Sequence, residues 1–501
     1  FAVGYQDISE IFIEPVEISD LAWAGFDNLS TVDSELSILQ DGQFVVMRRD
    51  GREVGRFALP EPDDPDAWGA LTASVLATGR TVSPSLSQAT SERLYEAVFD
   101  GVVTELDAYS RYAGREEARE NRASRDGFGG IGVRIRVADE GIRILSVMEN
   151  TPAEKAGLRA QDIITDINGK TAIGLSQREV VRRLRGPVRT KVGLLVRREN
   201  EPEKLSITVT RAHVVPQTVQ LRLEDGIGYL RVSSFNQSTT RNLRQKLKEA
   251  NRELDGDLLG FVFDLRGNPG GLLDQSVEVA DLFVTEGRIV STHGRHPDSH
   301  QYFDAEADDL AHGLPVVVLL DGNSASASEI VAAALQDAGR AVLIGSNTFG
   351  KGTVQTVLRL PNQGELTLTW ATFHAPTGYG LNERGVLPDL CTSGDITGVD
   401  DVLRKLAQGV FPLRSQLGVV TPEGDDKAQI AALRARCPKR DGEPEIDLEV
   451  ARALLLDPAL YARALGRTPD SAGFEQGAGW APLEAQCAAN ASGRSIPPDS
   501  C

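Results

Sequence analysis

Residues 314–320 form an unbroken apolar run, residues 330–338 repeat apolar positions at helical spacing, and residues 341–345 are apolar again. This order predicts a buried strand, a helix and a second buried strand. Such a crossover is right-handed and leaves its two strands parallel, so the loops that follow both strands lie on one edge of the sheet. Ser326, in Asn323-Ser324-Ala325-Ser326-Ala327-Ser328-Glu329, falls in the first loop. Lys351, in Phe349-Gly350-Lys351-Gly352, follows the second strand. Open α/β sheets place their sites at the carboxyl ends of their strands. A hydroxyl and an amine that meet there are the minimal pair for nucleophilic catalysis without histidine.

The same reading extends along the chain. Residues 1–125 alternate between helical periodicity (18–29, 67–78, 91–106) and strand periodicity (36–59, with Asp50-Gly51 as a hairpin turn), an α+β region. Residues 126–212 form a β-rich module. It contains Gly129-Gly130-Ile131-Gly132-Val133, strands near 142–148, 191–197 and 205–210, and a helix at 176–184. Residues 213–391 are the α/β core, with a buried strand at 258–264 that leads into Arg266-Gly267-Asn268-Pro269-Gly270-Gly271. Residues 392–501 turn helical, with the firmest helix expected over 448–465 and a Gly-, Ala-, Ser- and Pro-rich tail beyond Pro469.

At 501 residues the chain has room for about three domains. A formal net charge of -19 argues against nucleic acid and against an anionic membrane surface as partners. No apolar run approaches the ~20 residues that span a bilayer. The chain begins at Phe1, and the expectation is that an export signal has been removed. All four cysteines, Cys391, Cys437, Cys487 and Cys501, lie late in the chain and lack the close spacing of a zinc knuckle. They read as two disulfides in an oxidising compartment, with reduced cytosolic thiols as the alternative. Three connectivities are open, of which Cys391–Cys437 with Cys487–Cys501 is the expected one.

A serine attacks only after a base takes its proton, and a lysine serves as that base only when neutral. Burial among apolar groups lowers an amine's pKa, and Phe349 with the flanking apolar strands is the expected surround. The developing oxyanion needs donors. The N–H of Ala327 is one, and Gly270 or Gly271, at the end of a neighbouring strand, offers the other. Gln355 is placed to hold the amine. Each feature also has a plainer reading: a Ser/Ala-rich helix start is an ordinary cap, a lone lysine is a solvated side chain, and Gly-Asn-Pro-Gly-Gly is a turn. That glycine loop lacks the Gly-Lys-Ser/Thr ending of a phosphate loop. His293, His296 and His300 have conceivable metal spacing, but Pro297 and the local composition favour a mobile surface segment; no metal or cofactor is expected. In Gly130-Ile131-Gly132-Val133, successive glycines let backbone amides face a carboxylate, and the following strand edge can take an extended peptide.

Taken together, these motifs resemble the carboxyl-terminal processing (tail-specific) proteases, Ser–Lys serine peptidases with an embedded PDZ domain. The resemblance covers about residues 88–390. It runs through Asp107-x-x-Ser110-Arg111-Tyr112, the 126–212 module, Asp264-Leu265-Arg266-Gly267-Asn268-Pro269-Gly270-Gly271, Ser324-Ala325-Ser326-Ala327-Ser328-Glu329, Thr348-Phe349-Gly350-Lys351-Gly352 and Gly385-Val386-Leu387-Pro388-Asp389. It implies an α/β core of the crotonase-like, ClpP/crotonase type, an embedded β-rich PDZ domain, and helical N- and C-terminal regions. It implies Ser326 as nucleophile, Lys351 as general base, Gln355 as the residue that orients the lysine, and an oxyanion hole from Ala327 and the Gly270-Gly271 pair. Gly130, Ile131, Gly132 and Val133 would receive the peptide, and Arg185 would couple its binding to activation. The implied substrates are proteins or peptides with apolar C-termini, cleaved by an exported, periplasmic endopeptidase that is membrane-associated if a missing N-terminal segment anchors it. A homo-oligomer is expected, with room for an adaptor protein. The rival readings are an inactive PDZ scaffold on a protease-like core and an acyl-CoA enzyme of the crotonase-like fold. Two segments depart from the family pattern: Asp107-Ala108-Tyr109-Ser110 stands where Asp-Pro-His-Ser is usual, and Ala375-Pro376-Thr377-Gly378-Tyr379 where Thr-Pro-Ser-Gly-Arg is usual.

Overall fold

A six-stranded sheet carries the predicted crossover, in the order Val219–Glu224, Ile227–Val232, Gly260–Asp264, Val316–Leu320, Val342–Gly345 and Leu390–Cys391. The first pair is an antiparallel hairpin and every later pair is parallel. This computed structural model describes residues 1–306, 308–413 and 427–467; Cys487, Cys501 and the tail beyond Pro469 lie outside the described residues. The apolar runs at 260–264 and 316–320 are unbroken because both faces of the sheet are covered. Alternation divides them. Phe261, Phe263, Val316, Val318 and Leu320 face a core shared with the helix Ala327–Asp337, while Val262, Val317 and Leu319 face one shared with the C-terminal helices.

A second sheet runs Gln301–Asp304, Arg288–His293, Glu365–His374, Thr353–Arg359, and Arg111–Ala113 adds to Glu365–His374. The histidine segment expected to be mobile is therefore part of a hairpin. His293 ends a strand and stacks on His374 and His300, with ring centroids 4.6 and 5.5 Å away. His296 Nδ1 accepts from Asp298 N–H across the turn. Among the described residues no group of three His, Cys, Asp or Glu is arranged to hold a metal ion.

The N-terminal helices Ile18–Asp27, Pro65–Val82 and Ser91–Thr104 pack around Phe26 and Trp68. Their core is continuous with Leu360, Leu366 and Leu368 beside the second sheet. Asp50 and Gly51 both take positive φ in the expected hairpin turn. The β-rich module has a separate core and a sheet ordered Leu205–Thr210, Lys191–Arg197, Ile163–Ile167, Gly141–Val147, Val133–Ala138. Two short strands, Phe128–Gly130 and Ala212–Val214, pair antiparallel as its stem.

The helix expected over 448–465 is two helices, Glu445–Leu456 and Pro458–Ala464. Pro458 has no N–H to continue the first, and the Asp457 carboxylate accepts from Ala459 and Leu460 N–H to start the second. Cys391 and Cys437 form the expected disulfide. From Cys437 the chain crosses the carboxyl ends of the core strands. Arg440 O accepts from Gly322 N–H at 2.8 Å, Arg440 N–H donates to Ser346 Oγ at 3.1 Å, and buried Asp447 takes charge-assisted bonds from Arg266 and Arg440. No described helix is long and apolar enough to cross a membrane.

Candidate active site

Ser326 stands between the strand Val316–Leu320 and the helix Ala327–Asp337 with φ +55° and ψ -114°. A side chain rarely adopts such a backbone, which costs about 1–3 kcal/mol and persists only where the surroundings dictate it. They do so here. Asp321 Oδ1 accepts from the N–H groups of Asn323, Ser324 and Gly267, Ser324 Oγ donates to Leu265 O, and Ala325 N–H donates to Asn268 O. The elbow is thus fastened to the glycine loop that follows Gly260–Asp264.

That loop comes close to the serine because residue 270 has no side chain. An ideal Cβ on Gly270 would stand 2.9 Å from Ser326 Cβ and 3.0 Å from Ala327 N. The N–H of Gly270 donates to Asn268 Oδ1 at 2.9 Å. The N–H groups of Gly271 and Ala327 have no acceptor among the described residues. Of the two glycines left open by the sequence, Gly271 is therefore the one with a donor to offer.

Lys351 lies on the same sheet edge, as the crossover requires. Burial depresses its pKa, the nearby Arg111 depresses it further, and Asp107 and Glu329 pull the other way. The expected apolar neighbour, Phe349, is instead partly exposed and carries Lys439 over its ring at 4.2 Å. The ring that covers the Lys351 amine is Tyr109, with Nζ 5.0 Å from its centroid. Tyr109 belongs to the segment that departs from the family pattern, and nothing in its local sequence pointed to this contact. Among the described residues no hydrogen bond joins Ser326 Oγ to Lys351 Nζ. Gln355 Nε2 donates to Thr353 and Thr369 Oγ1 at 2.8 and 3.1 Å, which leaves its Oε1 as the free acceptor.

A further residue joins the two segments. Glu329 is fully buried, and its carboxylate accepts from Ser326, Gly350 and Lys351 N–H and from Thr348 Oγ1. Its place in Ser-x-x-Glu was visible in the sequence as a helix-start pattern; its contact with the lysine loop was not.

In the β module, Phe128, Gly130, Ile131, Gly132, Val133, Leu184 and Arg185 line one groove between the edge strand Val133–Ala138 and the helix Gln177–Leu184. The half-buried Arg185 guanidinium lies 3.9 Å over the Phe128 ring with no ion pair among the described residues. The free strand edge and the apolar groove have the form that takes an extended peptide by strand addition.

The profile of peptidase family S41 matches residues 226–392, and that of the PDZ domain matches residues 143–198. A carboxy-terminal-processing protease of Bartonella bacilliformis is 41% identical over 301 residues, covering 60% of this chain and 69% of that protein. The chain belongs to peptidase family S41. It is a serine-type peptidase with a PDZ domain, related to the carboxy-terminal-processing proteases. A CtpA-like serine protease of Staphylococcus aureus is 34% identical over 304 residues, and the match spans 60% of each protein. Among solved structures, a photosystem II D1 C-terminal processing protease is 26% identical with a TM-score of 0.36, covering 65% of this chain and 90% of that one.

Proposed function

We propose that this S41 peptidase cleaves protein substrates at or near their C-terminal tails through an acyl-enzyme on Ser326, with Lys351 as general base. The observation that carries this reading is the junction at Glu329: a serine held at left-handed φ and a desolvated lysine, from two separate loops, are tied to one buried carboxylate. Neutral Lys351 Nζ takes the hydroxyl proton as Ser326 Oγ bonds to the scissile carbonyl carbon. The oxyanion develops toward the N–H groups of Ala327 and Gly271. The ammonium returns its proton to the departing amine as the C–N bond breaks. Lys351 then takes a proton from water as its oxygen bonds to the ester carbonyl carbon, and the resulting ammonium returns that proton to Ser326 Oγ as the acyl C–O bond breaks. Gln355 Oε1 holds the amine on line.

On this reading the PDZ groove receives the substrate's apolar C-terminus, and Arg185 answers its carboxylate. The contact of Lys351 with Tyr109 is then a resting arrangement, and productive binding moves Nζ from the ring to Ser326. The crotonase- or ClpP-type description of the core is supported by its parallel strand order and the second sheet beside it. The organisation proposed is an N-terminal region (1–125), PDZ domain (126–212), protease core (213–391) and C-terminal region (392–501). An exported, periplasmic setting is supported by the Cys391–Cys437 disulfide. A homo-oligomer and an adaptor belong to the same proposal.

The second reading, an inactive PDZ scaffold, is favoured by the lack of a hydrogen bond between Ser326 Oγ and Lys351 Nζ among the described residues. Hydrolysis of casein and of a peptide with an apolar C-terminus separates the two. The wild-type chain is expected to cleave both, and Ser326→Ala and Lys351→Ala to be folded by circular dichroism yet inactive. Robust proteolysis by Lys351→Ala would refute the assigned base, and an inert wild type would favour the scaffold.

A further inference from the structure

We infer that Glu329 is a positioning residue whose ionised carboxylate sets the separation between the nucleophile and the base. This rests on the Ser326–Lys351 reading above. Glu329 Oε2 accepts from Ser326 N–H at 2.7 Å and from Lys351 N–H at 2.9 Å. Glu329 Oε1 accepts from Gly350 N–H at 2.6 Å and from Thr348 Oγ1 at 2.5 Å. Thr348 Oγ1 itself also accepts from Val386 N–H at 2.7 Å. Four donors thus fill the four lone-pair positions of one carboxylate. Three of these donors are backbone N–H groups, which can only donate and so favour the carboxylate form against the burial that pushes its pKa upward.

The plainer role for a glutamate in Ser-x-x-Glu is to cap its own helix, and that accounts for the bond from Ser326 N–H. It does not account for the other three donors, which all come from the segment that delivers the lysine. One rigid group therefore spans the two loops. Ser326 N–H reaches it because of the left-handed φ, and Lys351 N–H fixes where the lysine side chain begins. The same anion sits close enough to Lys351 to favour the ammonium that forms when the serine is deprotonated.

Two substitutions separate reach from charge. Glu329→Gln keeps the length and removes the charge, and its amide leaves at least one N–H without an acceptor. Its kcat is expected to fall about 100-fold, the scale of a small misplacement of reacting groups, with KM unchanged. The acidic limb of its pH–kcat/KM profile moves to lower pH, since a neighbouring anion no longer supports the ammonium. Glu329→Asp keeps the charge and cannot span the gap; its kcat falls similarly while the limb stays in place. If the Gln variant does not fold, Thr348→Val removes one donor and keeps the charge, and a fall in kcat at constant KM is expected there. Wild-type kcat in a folded Glu329→Gln or in Thr348→Val overturns the inference, as does an unmoved acidic limb in Glu329→Gln. Ser326→Ala is run alongside. Hydrolysis by Ser326→Ala overturns the nucleophile assignment itself, whereas an inactive Ser326→Ala beside a fully active Glu329→Gln overturns only the role of Glu329.

Discussion

Gly270→Ala tests whether the glycine loop is built around the nucleophile. The backbone there has φ +101°, and an ideal Cβ would stand 2.8 Å from Ala325 O, 2.9 Å from Ser326 Cβ and 3.0 Å from Ala327 N. None of these atoms is the far end of a flexible side chain, so the elbow itself must shift. The conformation alone costs a non-glycine residue about 1–3 kcal/mol. A displacement of about 1 Å at reacting groups costs on the order of 100-fold in rate, and a lost oxyanion donor about 100- to 1,000-fold. The control is Gly267→Ala in the same loop, where φ is +68° and nothing lies within 4 Å of an added Cβ. It pays only for its left-handed backbone, about 1–2 kcal/mol. Urea unfolding and steady-state peptide hydrolysis are measured on both. Gly270→Ala should lose more stability than Gly267→Ala while remaining folded, and only Gly270→Ala should lose activity, by at least about 100-fold. Gly270→Ala within a factor of a few of wild-type kcat/KM, or an equal loss in Gly267→Ala, refutes the reasoning.

The charges around Lys351 make opposite predictions for pH dependence. Only the neutral amine accepts the serine proton, so kcat/KM rises as pH passes through the lysine pKa. Arg111 holds that pKa down and Asp107 holds it up, so Arg111→Gln should move the acidic limb to higher pH and Asp107→Asn to lower pH; shifts of the same sign would remove Lys351 as the titrating base. The Cys391–Cys437 disulfide joins residues 46 apart, and in the chain-entropy picture a Cys391→Ser/Cys437→Ser double variant loses about 2–4 kcal/mol, read by urea unfolding, with no change as the contrary result. Arg185→Ala should raise KM for substrates with a free, apolar C-terminus and leave kcat on short peptides outside the groove unchanged; equal effects on both classes would argue against carboxylate recognition.

What the sequence made legible was local or topological. The runs at 260–264 and 316–320 announce themselves because both faces of the sheet are covered, and the handedness of a parallel crossover is enough to put Ser326 and Lys351 on one edge. What it hid depends on distant pairing. Tyr109 and Arg111 reach Lys351 because Arg111–Ala113 joins Glu365–Thr367 as an added strand, a contact between remote parts of the chain with no local mark. The strand Arg288–His293 was missed because its histidine and the following Gly-Arg-His-Pro look like loop, while its pairing with Glu365–His374 decides otherwise. The break at Pro458 was masked by apolar periodicity that continues on both sides of it, although Asp457-Pro458 is a helix-start pattern. Glu329 was given no role because three of its four donors come from another loop.

The paired strands Phe128–Gly130 and Ala212–Val214 have a mechanical consequence. Their base is pinned to the core, where Arg125 O accepts from Gln237 N–H and Gln237 Nε2 donates to Asp126. The residues proposed to grip a substrate's last carboxylate begin at the tip of this stalk, at Gly130. Because the proposed gripping residues follow directly on the stalk, a substrate's last carboxylate would be held where the module joins the core, and its separation from Ser326 would be set by the stalk rather than by the rest of the module.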